Sequence, residues 1–303
     1  MSDLFEDKNV APMLLREAQP FDDEAYIYEL KFDGIRCIAY IAPDGVALRN
    51  KRQKDVSGLY PELAGMKKCV KKKAVLDGEL VVFTRGKPDF YALQKRSLTA
   101  DEFKISLAAK KNPVQFVAYD ILYYDGADLT DMPLIKRKEY LKKYVKEGHG
   151  LSVSRYIAEK GVAFFHLAES EGLEGIVAKK KNGLYLAGRR TGEWLKIKVM
   201  QEEDLLVCGY KTDERGGVKD LLLGRYDENG RLRYRGKAAL GVSAEEKAVV
   251  ENFARKNAVQ TAWFPEYKNA VWFKPVLTGT VRYMRETERG GMRQPVWKGL
   301  KTE

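Results

Sequence analysis

Apolar residues fall in short runs along most of the chain, and their spacing predicts more strands than helices. Residues 26–30 and 35–41 read as two apolar strands flanking Lys31-Phe32-Asp33-Gly34. Asp-Gly between two such runs predicts a β-hairpin, with Gly34 supplying a positive φ at the turn. Further strands are predicted over 74–76, 79–83, 115–123, 175–179 and 193–199. Helical spacing marks 133–145, where Leu134, Leu141 and Val145 share a face. It also marks 160–171, which ends at Gly172, a good C-terminal cap.

The pattern changes near residue 200. Strands then follow closely over 204–210, 220–226, 231–239, 271–273 and 280–285, with one helix over 244–256. Short strands with one helix suit a small Greek-key barrel of the OB type, and the same periodicity fits other small β-barrels. The expected fold class is α+β in two domains, 1–200 and 201–303. No apolar run reaches the ~20 residues of a membrane helix, and the acidic start differs from a secretory signal.

Composition adds a partner. Lys plus Arg is 54 against 43 Asp plus Glu, a net charge of +11. The excess gathers in runs such as Lys71-Lys72-Lys73, Lys136-Arg137-Lys138 and Lys179-Lys180-Lys181. A basic surface of this kind points to a polyanion whose phosphates supply the affinity. Three scattered cysteines make no disulfide or zinc pattern, which predicts a reducing cytoplasm. With only two histidines, a bound metal would need carboxylates, which favours Mg²⁺ or Mn²⁺.

Several charged residues then stand out at strand ends. Lys31 ends an apolar strand, where desolvation favours the neutral amine, the form that is a nucleophile. Glu79 and Glu174 each adjoin an apolar strand, and Lys196 and Lys198 share one strand face. Tyr119 lies in an apolar strand. Each has an ordinary structural explanation: an edge charge, a wet sheet face, a core ring. Together they fit a lysine nucleophile, two metal-binding carboxylates, basic residues for a triphosphate and an aromatic for a base.

The order of these segments carries a resemblance. Lys31-Phe32-Asp33-Gly34-Ile35-Arg36 is followed by Leu48-Arg49-Asn50 and Leu76-Asp77-Gly78-Glu79. Then come Phe116-Val117-Ala118-Tyr119-Asp120, Glu174-Gly175-Ile176-Val177-Ala178-Lys179 and Trp194-Leu195-Lys196-Ile197-Lys198. The chain resembles the covalent nucleotidyltransferases, and among them the ATP-dependent DNA ligases. Leu221-Leu222-Leu223-Gly224-Arg225-Tyr226, Arg233-Tyr234-Arg235-Gly236-Lys237 and 292–300 are similar to the OB domain of bacterial end-joining ligases.

The resemblance implies an adenylation domain of antiparallel sheets and flanking helices, then an OB-fold barrel. It implies ATP as cofactor, with Mg²⁺ or Mn²⁺, and nicked duplex DNA as substrate. Lys31 would carry AMP, and Glu29 would sit beside the adenine, its backbone reading the base edge. Arg36 and Glu79 would hold ribose and phosphate, Glu79 and Glu174 the metal. Arg49 would touch the nick 5′-phosphate or the nucleotide, and Tyr119 would stack on the base. Arg190, Lys196 and Lys198 would neutralise phosphate charge. Arg293 and Lys301 would form a C-terminal motif that orients the departing pyrophosphate. Lys301 stands where the family usually has arginine, which removes a planar fork and predicts a slower first step. The alternative is an RNA ligase or capping-type nucleotidyltransferase; an inactive DNA-binding module is a third reading. A monomer associated with the nucleoid, working with a Ku-like end-joining partner and not with a membrane, completes the expectation.

Overall fold

The computed structural model describes residues 3–267, 269–287 and 290–301, and it separates the two strands that flank Lys31. β2 (Asp23–Leu30) lies in a five-stranded sheet of order β1 (Leu14–Glu17), β12 (Arg190–Lys198), β11 (Gly175–Lys180), β2 and β10 (Tyr156–Glu159). β3 (Ile35–Ala42) lies in a different sheet. There the order is β4 (Gly45–Asn50), β3, β5 (Ala74–Thr84), β7 (Val114–Tyr124) and β8 (Ala127–Asp128). β6 (Lys87–Pro88) adds to β5, and β9 (Leu151–Val153) to β7.

The predicted hairpin is therefore a crossover from one sheet to the other. Gly34 is needed there for space, because a Cβ would lie 2.3 Å from the Leu80 carbonyl oxygen and 2.6 Å from Cγ of Glu79. Its φ is not among the positive values. The two short runs predicted around Asp77-Gly78 are likewise one strand, β5. Gly78 allows the continuity: a Cβ would meet the Phe116 ring and the Val117 carbonyl oxygen, each at 2.5 Å.

Alternation sorts each strand between two layers. In β3, Cys37, Ala39 and Ile41 point into a core that Leu63 and Met66 of the 3₁₀ segment Pro61–Cys69 also fill. Leu93 of α2 (Phe90–Ser97) and Leu141 of α4 (Leu134–Tyr144) complete that core. Ile38 and Tyr40 point the other way, into a core shared with Met13, Tyr185 and Trp194. In β11, Ile176 and Ala178 pack under Phe165 and Ala168 of α5 (Gly161–Ser170). α1 (Leu4–Asp7) and α3 (Glu102–Lys111) were absent from the sequence reading, as was α2.

The chain divides into units Met1–Val199 and Met200–Glu303. In the second, β15 (Leu232–Ala238), β14 (Val218–Tyr226), β13 (Gln201–Thr212), β17 (Thr278–Tyr283) and β18 (Val296–Leu300) pair antiparallel in that order. β16 (Ala270–Trp272) also pairs with β13. Beyond the strand ladder, the Trp297 N–H donates to the Leu240 carbonyl at 2.8 Å, linking the last strand to the segment after β15. α6 (Ala244–Asn257) starts with a Ser243–Glu246 capping box. Oε1 of that glutamate also accepts the Trp297 indole N–H at 2.8 Å, so one side chain ties the helix to the sheet. Among the described residues, no helix is long and apolar enough to cross a membrane.

Candidate active site

The crossover puts Lys31 where the two sheets of the first unit meet. Its N–H donates to the Gly175 carbonyl at 2.9 Å, which fixes it to the first sheet. Its Nζ lies 2.7 Å from Oε1 of Glu174. A cleft of about 460 Å³ opens beside it, walled by Glu29, Lys179 and Trp194 from the first sheet and by Arg36, Glu79 and Tyr119 from the second.

Each wall follows from strand register. Glu29 pairs with Val177 and Ile27 with Lys179, so Glu29, Val177 and Lys179 share the cleft face. In the second sheet Arg36 pairs with Glu79, and Glu79 with Val117. Arg36 is held by a two-point clasp: Nε donates to one oxygen of Asp77 at 3.0 Å and Nη2 to the other at 2.6 Å. Nη1 donates to the Met13 carbonyl. The Tyr185 hydroxyl donates to Asp77 at 2.7 Å, completing a buried network.

Burial pushes the Glu79 carboxyl up to about 8, although Lys31 and Arg36 pull it down. Such a carboxyl, next to the Lys31–Glu174 pair, suits a cation that would restore its charge. Among the described residues no group of three or more His, Cys, Asp or Glu is arranged to hold a metal. Two carboxylates with substrate phosphates are the usual Mg²⁺ donor set, so Glu79 and Glu174 fit the ion on those terms.

The back of the cleft differs from the sequence reading. Lys138 and Lys179, taken there as parts of a basic surface, are buried, as is Arg137. Glu29 Oε1 lies 2.6 Å from Nζ of Lys138 and 3.0 Å from Nζ of Lys179. Burial alone would raise the Glu29 carboxyl, but the two lysines bring it below the ordinary range. Burial lowers Lys179 to about 8. Its ammonium sits 4.3 Å from the Tyr119 ring centroid and 4.2 Å from that of Trp194. Sequence reasoning misses Lys138, and it quotes Lys179 and Trp194 within motif segments without giving either a role in the site.

Lys198, paired with Gly175 across β11 and β12, is close enough to the Lys31–Glu174 pair to feel both charges; burial lowers it, with the Lys196 charge adding to the shift. Other expected residues lie elsewhere. Lys196 is 3.7 Å from Glu17, and Arg190 donates to the Leu15 carbonyl at the exposed start of β12. Arg49 is not among the residues lining the cleft; its guanidinium donates to the Gln53 carbonyl at 3.0 Å. Arg293 and Lys301 belong to the second unit, where the Lys301 ammonium pairs with Asp204. Asp204 also accepts the Thr280 hydroxyl at 2.7 Å.

This sequence matches the family model for the ATP dependent DNA ligase domain over residues 12–198. It matches that for the ATP dependent DNA ligase C terminal region over 214–303. The chain belongs to the ATP-dependent DNA ligase family.

Its ligase relatives include the multifunctional non-homologous end joining DNA repair protein LigD of Mycobacterium tuberculosis, 29% identical over 313 residues. That alignment covers 99% of this chain and 39% of LigD, so the chain spans about two-fifths of that relative's length. DNA ligase C1 of Mycolicibacterium smegmatis is 32% identical over 240 residues, 76% of this chain and 68% of that protein. The solved ligase domain of M. tuberculosis LigD superimposes with a TM-score of 0.57 at 27% identity, covering 97% of this chain and 95% of that one. A mycobacterial DNA ligase D complexed with ATP and MES gives the same TM-score at 28% identity and the same coverage. The ligase fold, with its mixed α/β architecture of antiparallel sheets, agrees with the class expected from the sequence.

Proposed function

We propose that this chain seals nicks between a 5′-phosphate and a 3′-hydroxyl in duplex DNA, using ATP and a Lys31–AMP intermediate. The observation that carries it is Lys31 Nζ, 2.7 Å from Glu174, beside a cleft lined by the Tyr119 and Trp194 rings and by the polar side chains of Glu29 and Lys179.

In the first step the neutral Lys31 amine attacks the α-phosphorus of ATP. An N–P bond forms, the bond to pyrophosphate breaks, and the amine proton leaves; Glu174, 2.7 Å away, is within reach to take it. An oxygen of the nick 5′-phosphate then attacks the adenylate phosphorus and frees the lysine. Finally the 3′-hydroxyl attacks the activated phosphate, AMP leaves, and its proton passes to a base or water. Lys196, Lys198 and Arg190 would offset phosphate charge, Arg36 and Glu79 would hold the ribose side, and Tyr119 would stack on adenine. A divalent cation on Glu79 and Glu174 would supply charge neutralisation at the reacting phosphate. Arg49 would serve the DNA 5′-phosphate, since it lies outside the group that lines the cleft. Arg293 and Lys301 would orient pyrophosphate once Lys301 leaves Asp204.

LigD is named for end joining, and this supports the same work here; a Ku-like partner, a monomeric state and association with the nucleoid are proposed with it. The test is labelled ATP followed by a nicked duplex. Wild type forms a covalent adenylate and seals the nick; Lys31→Ala does neither. An adduct of equal yield on Lys31→Ala defeats the assignment, and a preference for GTP or nicked RNA favours a capping-type or RNA-joining enzyme.

A further inference from the structure

Behind the cleft wall, Lys138 approaches Glu29 from a helix that belongs to neither strand of the wall. Its placement is built with care. Arg137, the preceding residue, is fully buried and grips both oxygens of Asp120, at 2.9 and 2.8 Å. A further Arg137 N–H donates to the Gly183 carbonyl at 3.2 Å, and the first turn of α4 bonds to the same loop through Leu134. That clasp fixes the turn that presents Lys138. Its side chain is only 4% exposed, and it is not among the residues lining the cleft, whereas Glu29 and Lys179 are.

The arithmetic of charge is unusual. One buried carboxylate faces two buried ammoniums, which leaves one positive charge in surplus. A carboxylate with one lysine would suffice for neutrality, so the second needs a reason. The approach geometry leaves Nζ of Lys138, Nζ of Lys179 and Oε1 of Glu29 without a well-directed hydrogen bond. At the cleft face, then, an acceptor (Glu29) stands beside a donor with unspent hydrogens (Lys179).

Adenine presents a 6-amino donor beside the N1 acceptor, and guanine presents the reverse, an O6 acceptor beside an N1–H donor. An acceptor next to a donor therefore matches one purine and opposes the other, and a mismatch leaves buried polar groups unpaired. The match depends on Glu29 and Lys179 keeping hydrogen-bonding capacity for the base beyond the 3.0 Å contact they make with each other. We propose that Lys138 is the positioning residue that sets nucleobase selectivity, by holding Glu29 from behind as a charged acceptor. Without it, Lys179 is the sole counter-ion of Glu29, the existing 3.0 Å contact becomes the carboxylate's one ion pair, and the hydrogen-bonding capacity of both is spent on each other and lost to the nucleotide. The assignment rests on the ligase reading above.

The test measures lysine adenylation with ATP, GTP and purine riboside triphosphate, which lacks the 6-amino group. Wild type should show a KM for purine riboside triphosphate about tenfold or more above that for ATP. Lys138→Met and Lys138→Gln should raise the ATP KM about tenfold, with the rate at saturation changed by less than about threefold. Their discrimination against GTP and against purine riboside triphosphate should shrink, and Lys138→Arg should restore both. A folded uncharged variant with wild-type ATP KM and wild-type selectivity overturns the proposal. So does a wild type that uses purine riboside triphosphate as readily as ATP, a result that needs no variant to fold. A wild type that forms no adduct with ATP removes the ligase reading itself, and this assignment with it.

Discussion

At the mouth of the cleft one lysine meets one carboxylate, while at its back one carboxylate holds two lysines. The Lys31 side chain keeps 21% of its exposure and Glu174 keeps 8%. Glu29, Lys138 and Lys179 keep 2%, 4% and 3%. Water can solvate the mouth pair when it opens, so a ligand can take either partner away at modest cost. The back cluster has no such escape, and removing one member strands the others. The same two residue types thus serve reaction at one end and recognition at the other, and the difference is set by burial.

That contrast can be broken most sharply at the back. Glu29→Gln leaves two buried ammoniums without their carboxylate and should cost about 3–5 kcal/mol of stability, read from urea midpoints. A loss below about 1 kcal/mol would mean that the cluster is solvated after all. Next in size is the joint between the sheets. Gly34→Ala forces a methyl against the Leu80 carbonyl and should cost about 1–3 kcal/mol, while adenylation falls with it.

Glu79→Gln tests the carboxyl held near 8. Between the ordinary glutamate value of 4.5 and about 8 the unfolded chain ionises this group while the folded chain keeps its proton, so wild-type stability falls as pH rises. The glutamine variant lacks that penalty. Its melting temperature relative to wild type should climb through this window and level off above it; a flat difference would show an ordinary carboxylate. The smallest stability change belongs to the mouth. Glu174→Gln should move stability by less than about 1 kcal/mol, yet lower the adenylation rate by about a hundredfold. Equal rates would show that Glu174 has no part in the chemistry.

Much of this was legible in the chain. Short apolar runs located the central strands of both units but not β1, β4, β9, β10 or β18, and helical spacing located α4, α5 and α6 to within a residue or two. The motif order singles out Lys31, Glu79 and Tyr119, which line one cleft, and Glu174, which pairs with Lys31. What failed was glycine chemistry and charge. Asp33-Gly34 and Asp77-Gly78 look like turns, yet both glycines are there because backbone or ring crowds the Cβ position. Arg137, Lys138 and Lys179 look like a wet surface because their partners, Asp120 and Glu29, are remote in sequence. One signal was available: Lys179 follows Val177 by two in an apolar strand, which put it on the cleft face. For α2 and α3, Asp89 and Asp101 were readable N-caps with weak apolar spacing behind them.

The crossover at Lys31 divides the cleft between two sheets of one compact unit. Lys31, Glu29, Glu174 and Lys179 ride with one sheet, while Arg36, Glu79 and Tyr119 ride with the other. A nucleotide gripped by both acts as a staple across the seam, and a covalent bond to Lys31 keeps that staple from falling out. Charging the lysine would then stiffen the protein as well as activate it. Amide exchange in β2, β3 and β11 should slow on adenylation, as in a book whose spine has been glued.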